Sequence, residues 1–307
     1  MFVDAMSNVA VLPPRTFLHN SVHIGGITLA LGGESPDEVK LNDELRAFAD
    51  DTHSPDIQVH AQFVDELKSF PGEPRFNSGA LWRVFSQADS FTFDFVSDLL
   101  GADPYKRLVV DRTFSSAQLL LSNKLLAPHA PIFPLEYPTD ELLITNYLAS
   151  RRLGVEVHGC GLIDSSAGGQ LFLGHSGAGK STTTRMWQSA RNPFILSDDR
   201  IILRLDGGEL RMHGTPWHGE AAFAEQGQSS LSRIFILQHG AQNQIRMLPK
   251  AEAVGEIFAR SFPPFHSAEG LEGTLEFINR ALDTVPCYEF QFVPDRSAIE
   301  TALGFHD

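Results

Sequence analysis

The chain has 307 residues, 42% of them hydrophobic and 20% charged, a globular balance that excludes a disordered tail and allows one large domain or two modest ones. Its formal net charge of -14, from 38 acidic against 24 basic residues, excludes binding of nucleic acid or an anionic membrane through the overall field, so a phosphate ligand needs a local site. Two cysteines, Cys160 and Cys287, make neither a disulfide framework nor a four-cysteine metal site, and no apolar run reaches the ~18 residues of a membrane helix. The expectation is a reducing, cytoplasmic compartment with no nucleic-acid or membrane partner. Met1 to Pro14 carries no Lys or Arg ahead of its weak apolar stretch and does not read as a secretory signal.

In chain order, residues 1 to about 150 mix short apolar runs with Pro and Gly punctuation. Gly26–Leu31, Ile57–Phe63, Ser90–Phe95 and Arg107–Val110 read as short strands, separated by turn signals at Gly32-Gly33, Pro71-Gly72 and Asp103-Pro104. Phe114–Leu126 carries apolar residues at helical or mixed spacing. Asp140-Glu141 opens a helix through Ser150, with two acids at its positive end. His19 and His23 are four apart, but with no helix and no third ligand they do not read as a metal site. The Phe-rich stretches, Phe91, Phe93, Phe95 and Phe258, Phe262, Phe265, read as core.

After Gly154 the texture changes, and a domain boundary falls near residue 150. Val155–Ile163 alternates as a strand, Asp164–Gly169 is a turn, and Gln170–Leu173 is a second strand. A Gly-rich loop leads into a helix from about Lys180 to Ala190. Phe194–Leu196 and Ile201–Leu205 are strands, and Asp206-Gly207-Gly208 turns the latter into Glu209–Met212. Strands at Arg233–Gln238 and Ile245–Met247, helices near 250–261 and 271–284, and a strand Cys287–Val293 close the chain.

The loop Gly174-His175-Ser176-Gly177-Ala178-Gly179-Lys180-Ser181 fits G-x-x-x-x-G-K-[ST], with a strand before it and a helix after. Its glycines reach backbone angles closed to other residues and turn main-chain N–H groups toward an anion, and the helix adds its positive end. Lys180 would reach the β- and γ-phosphates, and the Ser181 hydroxyl would ligate Mg²⁺. Phe194–Asp199 is an apolar strand ending in two carboxylates. One of Asp198 and Asp199 could hold Mg²⁺ and the other could take a proton from an incoming hydroxyl, although the pair alone also reads as a solvated turn. His158, mid-strand ahead of the loop, could hydrogen-bond a carboxylate or a phosphate, or simply be packed. In Gly214-Thr215-Pro216-Trp217-His218-Gly219-Glu220, Trp217 offers an aromatic face, and His218 and Glu220 a donor and a metal ligand; the plainer reading is an ordered hairpin exit with a core tryptophan.

The run from His158 through the Gly174–Ser181 loop to Ser197-Asp198-Asp199 resembles the catalytic half of HPr kinase/phosphorylase, a family that shares its nucleotide-binding core with phosphoenolpyruvate carboxykinases. With Tyr137–Leu143, Leu196–Arg200 and Gly214–Glu220, the whole chain is similar to bacterial HPr kinase-like proteins, some of which phosphorylate lasso peptides. The resemblance implies an α/β fold: a P-loop catalytic domain over 151–307 with a mixed sheet and flanking helices, preceded by a smaller α+β domain over 1–150 that helps recruit the acceptor. It implies phosphate contacts from 174–181 and the neighbouring Thr182, with Lys180 on phosphate and Ser181 on Mg²⁺. Asp199 would be the base, Asp198 its support, and His158 part of the active site. Glu220 stands in for the family's metal-binding Glu, with Ser181 and Asp198 as the other expected ligands. Three departures weigh against HPr as the acceptor and against the reverse reaction: His175 replaces an Asp, Thr182 replaces a Glu, and no Glu-Ile-Arg-Gly segment follows.

The leading expectation is therefore an ATP- and Mg²⁺-dependent kinase acting on a Ser or Thr hydroxyl of a peptide or small protein. A small-molecule kinase or carboxykinase-like enzyme on the same core, and a nucleotide-sensing module without turnover, are the alternatives. A homo-oligomer is left open.

Overall fold

The computed structural model describes residues 17–34, 39–79, 81–129 and 131–305. The side chain of His19 and the segment Met1–Pro14, both singled out above, lie outside the described residues. The fold is α/β, with two mixed sheets and, among the described residues, seven α-helices. No helix there is long and apolar enough to cross a membrane.

The chain divides into two compact units. The first covers most of the chain up to Thr139; the second is Asp140–Asp307 together with His23–Ile27 and Asp43–Ala49. The division falls earlier than the expected boundary near residue 150, because the helix that follows it packs with the second unit. The first unit carries strands β1 (Phe17–Ile24), β2 (Ile27–Gly33), β3 (Ile57–Val64), β4 (Phe76–Asn77), β5 (Trp82–Ser86), β6 (Ser90–Ser97), β7 (Gly101–Asp111) and β8 (Ser116–Ser122) in one sheet of order β1-β2-β3-β8-β7-β6-β5-β4. β3 runs parallel to β2 and β8, and β8, β7, β6, β5 and β4 form an antiparallel run. The short helix α2 (Asn123–Leu126) follows β8, while α1 (Asp43–Arg46), between β2 and β3 in the chain, belongs to the second unit.

Three local expectations are corrected here. Ser116–Ser122, inside the segment of mixed spacing, is a strand, because it fills the slot between β3 and β7 and buries Ala117, Leu119 and Leu121. Gly32-Gly33 ends β2 rather than turning; a Cβ on Gly33 would lie 2.6 Å from Val39 Cγ1, so close packing accounts for that glycine. Asp103-Pro104 lies inside β7, where the strand has run past the end of β8, whose pairing begins at Lys106↔Leu121, and stands opposite the register irregularity of β6 between Phe95 and Ser97, a place that tolerates proline.

The second unit opens with α3 (Thr139–Ser150). It is followed by β9 (Gly154–Asp164), β10 (Gly168–Leu173), α4 (Lys180–Arg191), β11 (Phe194–Ser197), β12 (Arg200–Asp206), β13 (Glu209–His213), β14 (Gln228–Ser230), β15 (Ile234–His239), β16 (Gln244–Met247), α5 (Lys250–Phe258), α6 (Ala268–Ala281), β17 (Cys287–Phe292) and α7 (Arg296–Gly304). The sheet order is β14-β13-β12-β9-β10-β15-β17-β16, with β11 also paired to β9. β15 is parallel to β10 and β17, and the other pairings are antiparallel.

Strand alternation divides the core into two faces. Val155, Val157, Leu171 and Leu173 meet Ala253 and Ile257 of α5 and Phe277 and Ile278 of α6 on one side. Cys160, Leu162 and Phe172 meet Trp187 of α4 and Ile299 of α7 on the other. The result is a sheet between two helical layers. α3 joins by close approach: a Cβ on Gly273 would sit 2.2 Å from the Ala149 carbonyl oxygen.

Candidate active site

β10 runs out at Leu173 and the chain enters the Gly-rich loop. Gly174 N–H donates to the His158 carbonyl (3.2 Å), which fixes the start of the loop to β9. Gly177 (φ 81°) and Gly179 (φ 98°) occupy the left-handed region, and α4 begins directly after Gly179. The far side of the loop is braced: a ring nitrogen of His239 hydrogen-bonds the Gly177 carbonyl (2.8 Å), and that ring stacks on Phe292 with 5.8 Å between centroids. His175, Ser176, Gly177 and Thr182 are exposed, Ala178, Gly179 and Ser181 half-buried. The loop is thus open to solvent at a helix N-terminus.

Lys180 is buried, and its Nζ donates to the carbonyls of Gly174 (3.0 Å) and His175 (3.2 Å) across the loop. Burial lowers its pKa; the nearby carboxylates of Asp199 and Asp198 act the other way. His175 is also held below its ordinary value, first by burial and then by the positive charge of Arg260.

β11 ends with a register irregularity between Ile195 and Ser197 against β9. Such a bulge re-aims the end of a strand, and here the acid pair follows. Ser197 Oγ accepts the N–H groups of Asp199 (3.2 Å) and Arg200 (3.1 Å), and the Asp199 carbonyl accepts from Gly159 (2.9 Å), so the corner is pinned. The two carboxylates then part. Asp199 Oδ1 meets His158 Nε2 at 2.8 Å, with both side chains about a quarter exposed. Burial alone would raise the Asp199 carboxyl, but the hydrogen bond and charge from His158, with Arg200 and Lys180, leave it below its ordinary value.

Asp198 is buried, and its two oxygens accept three main-chain N–H groups: Gly219 (3.1 Å) and Phe223 (3.2 Å) on Oδ1, Ala221 (3.0 Å) on Oδ2. Asp198, expected as a magnesium ligand, thus organises the loop 219–223, in which Ala222 has a positive φ of 57°. The same loop explains the Trp217 segment. Trp217 is buried and its Nε1 donates to Asp140 Oδ2 (2.8 Å) at the start of α3. Glu220 is exposed, one residue after Gly219, where a Cβ would lie 2.8 Å from Asp198 Oδ2.

The structure therefore brings the 174–181 loop, Lys180, His158 and Asp199 together, gives Asp198 a structural task, and leaves Glu220 on the rim. Three groups escaped the sequence reading. Arg200 faces Asp199 Oδ2 through Nε (3.4 Å), pairs with Glu141 and Glu156, and lies 4.1 Å from the Phe262 ring centroid. Arg260 lies next to His158 through the main chain, its carbonyl accepting His158 N–H at 2.6 Å. Phe262 also contacts His158 (ring centroids 5.9 Å), while Phe265, read as core, is 60% exposed. The signal in the sequence was slight: Arg200 directly follows the acid pair, and Asp140-Glu141 reads as helix-capping charge alone. No protein-family model and no curated protein matches the chain.

Proposed function

We propose that the chain is an ATP- and Mg²⁺-dependent kinase of the HPr kinase-like P-loop type, transferring the γ-phosphate to a Ser or Thr hydroxyl of a peptide or small protein. The observation that carries this reading is the left-handed glycine loop that opens α4, tied through His158 to a carboxylate: the His158 carbonyl accepts Gly174 N–H (3.2 Å) and its ring meets Asp199 Oδ1 (2.8 Å). A loop alone would support nucleotide binding only; a loop facing an ionised acid supports proton removal at the same place.

The chain's residues fit a polyphosphate. Main-chain amides of 174–181 and the N-terminus of α4 would cradle it. The Lys180 ammonium, now spent on two loop carbonyls, would transfer its hydrogen bonds to phosphate oxygens. A groove of about 490 Å³ lined by Thr182, Arg185, Met186, Ser189, Arg296 and Ile299 begins beside the loop and offers room for the nucleoside. Ser181, at the start of α4, would hold magnesium, which would neutralise phosphate charge when bound.

Asp199 would accept the proton of the acceptor hydroxyl. Its lowered pKa keeps it ionised at neutral pH, and His158 orients the carboxylate without competing for the second oxygen. Most of the rate would come from positioning and fixed charge rather than from a strong base.

The test has two arms. Calorimetry with ATP in magnesium buffer should detect uptake, and radiolabelled ATP should label Ser- or Thr-containing peptides. Uptake with no transfer to any peptide or small molecule would leave a nucleotide sensor. No uptake of ATP or GTP would end the phosphotransfer reading.

A further inference from the structure

Around Arg200, three carboxylates converge on one guanidinium. Glu141 from the start of α3 and Glu156 from β9 both pair with Nη1, the latter at 3.3 Å, while Nε faces Asp199 Oδ2 at 3.4 Å. The Phe262 ring covers the guanidinium plane at 4.1 Å. Exposure is 16% for the Arg200 side chain, 12% for Glu141 and 0% for Glu156. The main chain is held as tightly: Arg200 stands opposite His158 in the β9–β12 register, and its carbonyl accepts Thr215 Oγ1 at 2.7 Å.

Three full negative charges around one arginine, out of water, would be self-defeating. Glu156 resolves this. It is wholly buried, lies against Glu141, and its Oε2 has no hydrogen-bond acceptor or donor of its own. Burial and the Glu141 charge push its carboxyl well above the usual range, and burial raises Glu141 as well, against the pull of Arg200. Glu141 makes the closer pair with Nη1, and Nε is turned toward Asp199.

We propose that Arg200, clamped by Glu141, Glu156 and Phe262, is the positioning residue for Asp199: it holds Oδ2 from one side while His158 holds Oδ1 from the other. The use of this clamp rests on the phosphotransfer role proposed for Asp199; the clamp itself does not. The first turn of α3 thereby serves both acids, because Asp140 anchors the Trp217 loop that fills Asp198 and Glu141 anchors the arginine that aims Asp199. Arg suits this place better than Lys, because a planar fork can serve three acceptors at fixed angles.

The test reads the His158–Asp199 bond directly. In protein labelled with ¹⁵N-histidine, the His158 ring signals are assigned by their change in Asp199→Asn. Arg200→Met and Glu141→Gln should move those signals toward the Asp199→Asn position. Arg200→Lys should fall between, and Glu156→Gln, which keeps the side chain's shape, should leave them in place. Thermal melts confirm that each variant is folded. Unchanged His158 signals in folded Glu141→Gln and Arg200→Lys would overturn the clamp. In parallel, hydrolysis of Mg·ATP with water as acceptor should fall at least tenfold in Arg200→Lys, with ATP affinity within twofold of the parent. If the parent takes up no ATP, the kinase reading fails while the nuclear-magnetic-resonance arm still decides the clamp.

Discussion

Nε2 of His158 and Oδ1 of Asp199 lie 2.8 Å apart although 41 residues separate them in the chain. Main-chain bonds set that distance: His158 takes the first amide of the phosphate loop on its carbonyl, and Gly159 beside it donates to the Asp199 carbonyl. The histidine therefore ties loop and acid into one rigid unit. Asp199→Asn keeps the shape but removes the basic oxygen and the charge on Lys180. The expected outcome is loss of phosphotransfer by at least a hundredfold with ATP affinity little changed, measured by labelled-phosphate transfer alongside calorimetry. Normal transfer by this variant would remove the assignment of the base.

Lys180→Met keeps the buried stem and deletes the ammonium. The loop carbonyls of Gly174 and His175 would lose their donor, and an incoming phosphate its nearest point charge. ATP affinity should fall at least tenfold, about 1.4 kcal/mol, while the thermal midpoint moves little. Calorimetry with Mg·ATP reads the first and differential scanning fluorimetry the second.

The two left-handed loop glycines should respond differently to alanine. At Gly177 a Cβ would have no neighbour within 4 Å, so Gly177→Ala meets only the left-handed backbone cost of about 1–2 kcal/mol. At Gly179 a Cβ would lie 2.6 Å from Phe292 Cζ as well, against the ring that braces His239. Gly179→Ala should therefore lower the denaturation midpoint more than Gly177→Ala does. Equal shifts would argue that the Phe292 ring yields without cost.

The glycine loop was legible in the sequence because its left-handed turns and the helix start after them call for fixed residue types at fixed spacing, and strand and helix on either side are long enough to declare themselves. The acid pair was legible as a pair, but not its division. Which aspartate faces the pocket depends on the Ile195/Ser197 bulge and on amides of 219–223, neither of which leaves a mark on residues 198 and 199. The Arg200 cluster was hidden for a similar reason: Glu141, Glu156 and Arg200 look like surface charges until β9, β12 and α3 close around them. Short strands such as β4 and β14 carry too few residues for an alternating pattern, and β8 shows three consecutive leucines, of which Leu119 and Leu121 are buried and Leu120 is not, a division the sequence does not mark.

Burial pushes both thiols, Cys160 and Cys287, up to about 12. Cys160 also accepts the Thr184 hydroxyl at 2.8 Å, under the helix that carries Lys180. Neither thiol is then a nucleophile at neutral pH. At pH 8 a disulfide-exchange reagent should label the folded protein at least a hundredfold more slowly than a free thiol, and should count both cysteines in guanidinium. Rapid native labelling of one would show that its surroundings open on the timescale of the assay.

Asp164 closes the β9–β10 turn and fastens the end of α4 to it. Its Oδ1 accepts the N–H groups of Ser166 (2.8 Å) and Ala167 (3.0 Å), and both oxygens accept from Arg191 at 3.0 Å. The Arg191 hydrogen bonds, with those of Ser166 and Ala167, outweigh burial and hold the carboxyl well below its ordinary value. A carboxyl depressed in the folded state contributes stability that is present above the unfolded value of about 3.9 and is lost as pH falls through the folded one. Asp164→Asn should therefore be less stable at pH 7, by about 2 kcal/mol once the partial exposure of Arg191 is allowed for. The gap should narrow below pH ~4, as the parent loses what the variant never had. Urea midpoints at pH 7 and pH 3 decide it: a gap that stays constant would assign the loss to the turn's shape rather than to the charge.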